Sequence, residues 1–326
     1  MSYSGGATIT DAGGAYSLAS VPEGSYTVGA AAAGYSPQSK SVSVGAGANV
    51  SQGFALTPLP GSVSGTVVDV ATGTPLSGAG VSYSGGATTT DSLGRYSFST
   101  VVEGAYTFTA SAAGYSSQAQ SVTVGPGAAV SLGLSLVRRV FSDSFESGSM
   151  SAWTANVGVV VQSTTVHGGG YAAEATATGG AIYSRETLGG SYSNLYVRTY
   201  FQVRSLPTST STLVGYRTSG NASIARLYID GQGRLALRND VGGTSTTGPL
   251  VSVGSWHSVE FHVVVNGASS TIEVWLDSNS VTVLTTQTAS LGSSFIGMLQ
   301  IGENQTGRSF DIAFDDLVVQ TARVGP

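Results

Sequence analysis

Acidic side chains gather at two distant places in this sequence. Asp143 and Glu146 form one group; Asp311, Asp315 and Asp316 form the other. Asp315 and Asp316 interrupt an apolar run from Ile312 to Val319, and a carboxylate in such a run needs something to satisfy its charge. A hard cation such as calcium, which takes carboxylate and carbonyl oxygens, is one answer, and its role would be structural. Solvent, or hydrogen bonds from backbone amides, are the others. A third group alternates along one segment: Tyr196, Arg198, Tyr200 and Arg204 in NLYVRTYFQVR. A fourth, Glu260, His262, Glu273, Trp275 and Asp277, lies in two segments that read as a hairpin. Aromatic rings stack on sugars and planar polar groups bond their hydroxyls. A saccharide-binding face is therefore expected from Tyr196, Arg198, Tyr200, Glu260, His262, Glu273 and Trp275, if the hairpin pairs in the register that puts the last four on one side. The alternative is that these aromatics only cover a sheet beneath loops. Hydrolysis of a glycosidic bond needs two carboxyls about 5–9.5 Å apart. Glu273 and Asp277 are four residues apart on one strand, roughly 13 Å, which is too far. His167, His257 and His262 are the only histidines, and no HExxH or GxSxG motif is present. No catalytic centre is expected.

The elements that must position these groups are strands. Glycine supplies 46 of 326 residues, charged residues only 10%, and Ser, Thr, Val and Tyr fill much of the rest. β-Branched and aromatic residues favour strands, and Gly and Ser favour the turns between them. A helical chain needs far more Leu, Glu, Lys and Arg. The formal net charge is −5, Lys40 is the single lysine, and the thirteen basic residues are scattered apart from Arg138–Arg139. Nucleic acids demand clustered cations, so they are not expected as partners. No stretch approaches the apolar length of a membrane-spanning helix. Cysteine is absent, which excludes disulfides and thiolate chemistry. Low charge, few lysines and no cysteine fit a secreted or cell-surface bacterial protein.

The first half repeats itself. SYSGG at 2–6 returns at 82–86, and the match holds at a constant offset: Asp11 with Asp91, Tyr16 with Tyr96, Glu23-Gly24 with Glu103-Gly104, Gly34-Tyr35 with Gly114-Tyr115. Each unit reads as short alternating strands separated by turn residues. In the second unit, SVSGTVVDV at 62–70 is a strand, TTTDSLGRYSF at 88–98 is a hairpin turning at Asp91-Ser92-Leu93-Gly94, and AYTFTASAAGY at 105–115 is a further strand. The segments GTVVDVATGTPLSGAGV, TTTDSLGRYSF and EGAYTFTASAAGY resemble the carboxypeptidase regulatory-like domain, a small β-sandwich. The resemblance implies a structural spacer or adhesive unit without catalysis. It covers residues 59–137 fully and 1–58 in part, because the first unit has no counterpart of the opening strand. Residues 1–58 are therefore expected to be poorly ordered alone. An upstream segment would complete them, or a strand donated by a neighbouring subunit, giving self-association through this module.

From Val140 the repeat disappears. NLYVRTYFQVR puts Leu195, Val197, Phe201 and Val203 on one face, and WHSVEFHVVVN with TIEVWLD reads as a hairpin around Gly267–Ser270. FESGSMSAW, WHSVEFHVVVNG, TIEVWLD and FDDLVV make residues 138–326 resemble the concanavalin A-like or laminin-G-like jelly roll. By resemblance to calcium-stabilised carbohydrate-binding modules, Glu146 and one of Asp315 and Asp316 would be metal ligands. The Glu-x-Asp-x-x-Glu strand of hydrolases on this fold is absent, since position 275 is Trp. The expected protein is all-β: a truncated repeat (1–58), a complete repeat (59–137) and a jelly roll (138–326). Its expected role is a non-catalytic glycan- or surface-binding adhesion module, with a polysaccharide or cell-surface glycan as partner. A structural subunit of an extracellular fibre, built by strand addition, is the alternative.

Overall fold

The computed structural model describes residues 1–325, with nothing said of the Gln287 side chain. It is all-β; among the described residues the one helical element is a short 3-10 turn, Thr282–Leu284. The chain forms two compact units, Met1–Leu136 and Val137–Pro326. The first contains both repeats.

The complete repeat is a two-sheet sandwich. One sheet joins Gln118–Val124, Gly104–Ser111, Gly80–Tyr83 and Gly86–Thr89. The other is organised around Gly61–Asp69. That strand pairs antiparallel with Arg95–Val101 and parallel with Ala129–Ser131 and with Leu134–Leu136. Its alternation aims Val63 and Val67 inward, where both are fully buried with Phe108, Val101, Leu134 and Leu136. The turn at Asp91–Gly94 forms because the Asp91 side chain accepts the amides of Leu93 and Arg95, and Gly94 takes a φ of +70°.

The first repeat reproduces only half of this. Gly24–Ala30 pairs with Gln38–Val44 in the register of Gly104–Ser111 with Gln118–Val124, eighty positions on. Ser2–Tyr3 and Gly6–Ala7 extend that sheet. Among the described residues no strand of the first repeat corresponds to Gly61–Asp69, whose matching positions precede Met1, and 15–21 and 49–56, the counterparts of its neighbours, form no strand. Val28 and Ala30 are the buried hydrophobic side chains of this repeat, against twelve in the core of the second.

Unit two is a sandwich of two antiparallel sheets. The front sheet runs from Val160–Gln162 and Ala172–Thr178 through Ser309–Gln320, Asn194–Ser205, Trp256–Val264 and Ser270–Leu276. Arg139–Asp143 also pairs with the second half of Ser309–Gln320. The back sheet runs Ala155–Val157, Ile182–Tyr192, Ile296–Glu303, Thr210–Arg217, Ser223–Asp230, Arg234–Asn239 and Thr244–Leu250. Leu195, Val197, Phe201 and Val203 face inward as their alternation requires, and meet Leu213, Tyr216, Leu227, Leu299 and Ile301 of the back sheet in one core.

Read from the sequence, Asp143 and Glu146 belong to one opening strand and strict alternation puts Asp316 on the face of Ile312, Phe314 and Val318; both expectations are corrected. Glu146 lies beyond the opening strand, which ends at Asp143. Asp316 does not share a face with Ile312 and Phe314. The ladder slips there: Tyr200 opposes Asp315, while Arg198 opposes Val318. Asp316 is the extra residue, at φ +46°. This bulge keeps Ile312, Phe314, Leu317 and Val319 all in the core despite the broken alternation.

Candidate functional site

Cross-strand pairing brings the seven expected ligand-binding residues onto one outer face of the front sheet. Tyr196 opposes His262, which opposes Glu273; Arg198 opposes Glu260, which opposes Trp275; Tyr200 opposes Ser258. The hairpin thus pairs in the register the face requires. The Tyr196 ring stacks on His262 with centroids 3.7 Å apart, and lies 6.4 Å from Trp275. His262 Nδ1 donates to Glu273 Oε2 at 2.6 Å, and Nε2 sits 2.8 Å from the Asn194 side-chain amide. Burial pushes the His262 pKa down, outweighing the upward pull of Glu273. Asp277 leaves the face: its carboxylate accepts the Ser258 amide and meets the His257 ring.

This face is covered by the chain itself. The Val324 amide donates to Glu260 Oε1 at 2.6 Å, and the Gly325 amide to Oε2 at 3.3 Å. The Arg323 guanidinium lies 4.5 Å from the centre of the Trp275 ring, with Nε 3.5 Å from Glu260. Arg198 donates to the Gly325 carbonyl. Glu260 and His262 are left 4% and 5% exposed. Burial raises the Glu260 pKa, opposed by the two tail amides and Arg323. The rings and carboxylates suited to a sugar are engaged with one another and with residues 323–325.

Glu146 and Asp315 converge on one glycine-rich loop, His167–Tyr171, and both act on it as amide acceptors. Asp315 Oδ2 accepts from His167 and Gly168, and Oδ1 from the Asp316 amide. Glu146 accepts from Gly170 and Tyr171. Gly169 takes a φ of +68°, which favours glycine, and the Glu146 carboxylate packs against its Cα side. Asp316 reaches the His167 ring, with Oδ2 3.5 Å from Nδ1. Burial raises the Asp315 pKa, against its three amide donors. Among the described residues no three His, Asp or Glu side chains are grouped to hold a metal ion. The three expected ligands are brought near one loop, with the charges of Glu146 and Asp315 met by N–H donors.

The outer face of the back sheet carries a cluster that sequence reading missed. Arg185 opposes Gln300, Gln300 opposes Gly215, Gly215 opposes Arg226 and Arg226 opposes Arg238. Arg217, two positions along from Gly215, points to the same side. At about 4.8 Å between strands, this row spans roughly 19 Å. Gly215 leaves a low floor in it; a Cβ there would sit 3.1 Å from that of Arg226. Arg185 and Arg217 both donate to Gln300 Oε1, at 2.9 and 3.3 Å. Arg226 and Arg238 share one carboxylate, Asp240, at 3.7 and 3.5 Å. Tyr183 lies under the Arg185 guanidinium at 4.3 Å, and Tyr228 stands beside Arg226 on the same side. Burial lowers the Arg217 pKa, and Arg185 and Arg226 lower it further, against Asp240 and Tyr183. Four half-buried arginines with one carboxylate among them make a cationic face on a chain of net charge −5. Each of the four strands contributes one arginine to the cluster, as Arg226 in IARLYID does, so only the register assembles them.

Residues 3–57 and 62–137 each match the model of the carboxypeptidase regulatory-like domain. No curated protein matches the chain. Among solved structures, a sialidase of Trypanosoma rangeli overlaps 51% of this chain at 11% identity and a TM-score of 0.39. This chain spans only 27% of that sialidase. An alginate lyase from a Chlorella virus overlaps 57% of this chain and 100% of its own, at 10% identity and TM-score 0.40. Domain 4 of an extracellular arabinanase from Geobacillus stearothermophilus, solved with arabinotriose, overlaps 57% and 93% at 16% identity and TM-score 0.39. Likenesses this partial carry no conclusion about what this chain binds.

Proposed function

We propose that this protein is a non-catalytic, secreted or surface-attached module that binds an acidic polysaccharide along the outer face of its back sheet. The observation that carries the reading is the row of Arg185, Arg226 and Arg238 with Arg217 beside it, brought together from four of five adjacent strands. Guanidinium groups bond carboxylates and sulfates through paired N–H donors, and a low-dielectric sheet surface strengthens such bonds. Tyr183 and Tyr228 offer ring faces for sugars between the charges. The one carboxylate of the cluster, Asp240, is already paired with Arg226, Arg238 and the Ser223 hydroxyl. His167, His257 and His262 all belong with the front sheet, and the further carboxylate on this face, Asp230, is paired with Arg234. That supports binding without turnover. The two repeats act as spacers in this reading.

Calorimetric titration of the full chain with polygalacturonate and with dextran tests it. Binding of the uronate chain, weakening as salt rises, with none of the neutral one, is the expected result. Equal binding of both, or salt-independent binding, overturns it.

A further inference from the structure

Three side chains of unit two are linked in a row that the polysaccharide reading does not use. Ser252 lies in the loop between Thr244–Leu250 and Trp256–Val264, and His257 is the second residue of the strand that follows. Asp277 comes directly after Ser270–Leu276, and the pairing of Val259 with Leu276 sets it beside Ser258. Ser252 Oγ is 2.7 Å from His257 Nε2, and His257 Nδ1 is 2.7 Å from Asp277 Oδ2. A carboxylate only accepts, so Nδ1 carries the ring proton, Nε2 keeps its lone pair, and the Ser252 hydroxyl donates to it. The other Asp277 oxygen accepts the Ser258 amide at 2.9 Å, which fixes the carboxylate. Asp277 and Ser278 both take positive φ, +49° and +67°, without being glycine. Strain of this kind persists where the surroundings hold a residue in place, and it gathers at functional sites.

The serine end of the row is open. Ser252 is exposed, and its loop is pinned on both sides of it: the Val251 amide donates to Gly233 and the Gly254 amide to Val203. The Ser252 and Val253 amides meet no acceptor among the described residues and remain for an oxyanion. Leu250 and Val253 are exposed apolar side chains close to Ser252 in the chain. A cavity of about 490 Å³ has Asp277 in its wall, with Pro249, Leu276, Val281 and Val283. We propose that Ser252 is an acyl-accepting nucleophile that takes a short acyl group from an ester, with His257 as its base and Asp277 as the positioning residue for the imidazole. Ser252 Oγ attacks the ester carbonyl carbon and its proton passes to His257 Nε2, while Asp277 holds the imidazolium through Nδ1–H. The bond from that carbon to the donor's alcohol oxygen then breaks, and this oxygen leaves with the proton from His257. The acyl group ends on Ser252 as a new ester, and one alcohol is released. The inference is independent of the polysaccharide reading: no arginine of the back sheet takes part, and the product is one acyl group held on the chain.

The test treats the full chain with p-nitrophenyl acetate, follows release of p-nitrophenol and locates acetyl groups by peptide mass spectrometry. The expected result is an acetyl group on Ser252, gained at least about 100-fold faster than in the free peptide LVSVGSWHS. Asp277→Asn keeps an acceptor for the Ser258 amide and suits the same turn, so the fold should stand. Its acetylation should nevertheless slow by at least about 100-fold, because the imidazole loses the partner that sets its tautomer. With rising pH the rate should level off in the unaltered chain and keep climbing in Asp277→Asn, a change of profile that a merely structural Asp277 would not produce. His257→Gln should be as slow as Asp277→Asn. Acetyl groups found only on His257, Lys40 or the N-terminus overturn the proposal. So does acetylation of Ser252 no faster than in the free peptide, or at the same rate in Asp277→Asn as in the unaltered chain.

Discussion

The two outer faces of the unit-two sandwich are built from similar materials and end in opposite conditions. The front face gathers Tyr196, Arg198, Glu260, His262, Glu273 and Trp275 and spends nearly every polar atom internally. Glu260 is matched by the amides of Val324 and Gly325, His262 by Glu273 and Asn194, Trp275 by Arg323. The back face gathers Arg185, Arg217, Arg226 and Arg238 with one carboxylate between them. Its charge is left over. A set of sugar-compatible side chains is thus no guide to a ligand when charges of both signs are present to satisfy one another; an excess of one sign is the better guide.

The largest expected effect breaks the comparison at the back face. The double substitution Arg185→Ala and Arg226→Ala should weaken uronate binding by roughly 10–100-fold per lost charged contact, from about 1.5–3 kcal/mol each. Trp275→Ala on the front face should leave the titration unchanged. If Trp275→Ala abolishes binding and the arginine pair does not, the faces have been assigned the wrong way round.

Next in size is a stability effect confined to the front face. Glu260→Ala leaves the Val324 and Gly325 amides and the Arg323 side chain without their acceptor. Denaturant unfolding should report a loss of about 1–3 kcal/mol, with uronate affinity preserved. An unchanged midpoint would mean that the tail does not rest on this face in solution.

A smaller effect concerns pH. The folded state holds the His262 pKa below its unfolded value near 6.5, chiefly through burial. The sign follows from linkage: this contribution is fully present above the unfolded value and is lost as pH falls through the folded one. Stability of the chain should therefore decline on acidification below about 6.5. In His262→Gln that part of the slope should vanish. Identical slopes in the two proteins would contradict the assignment.

The smallest expected effect is that of calcium. Glu146 and Asp315 already hold the amides of His167, Gly168, Gly170, Tyr171 and Asp316, so a cation has to displace donors that are in place. Melting curves with calcium and with excess chelator are expected to coincide. A rise of several degrees that chelator reverses would give Glu146, Asp315 and Asp316 the ligand role after all.

What was legible in the sequence follows from how local the signal is. The repeats could be read because Asp11 and Asp91 build the same turn, and because Gly14 and Gly94 adopt the same positive φ. The front face could be read because Asn194–Ser205 and the 256–276 hairpin alternate cleanly, which fixes the side on which each residue falls. The cover over it could not, since Thr321–Gly325 has no periodicity that points to Glu260. Nor could the face of Asp316, because one bulged residue reverses parity from there on. The arginine row was illegible for a related reason: its members come from four strands, and inter-strand register is not written in any one of them. The gap in the first repeat was legible only because the second repeat supplies the missing comparison.

The central claim is that the back sheet, not the front, meets the ligand. Hydrogen exchange of the full chain with and without a short oligogalacturonate tests it most directly. The account predicts slowed exchange at 183–187, 215–217, 224–228, 236–238 and 298–302, with 194–202, 256–264 and 271–276 unaltered. Slowed exchange at the second set alone would contradict it.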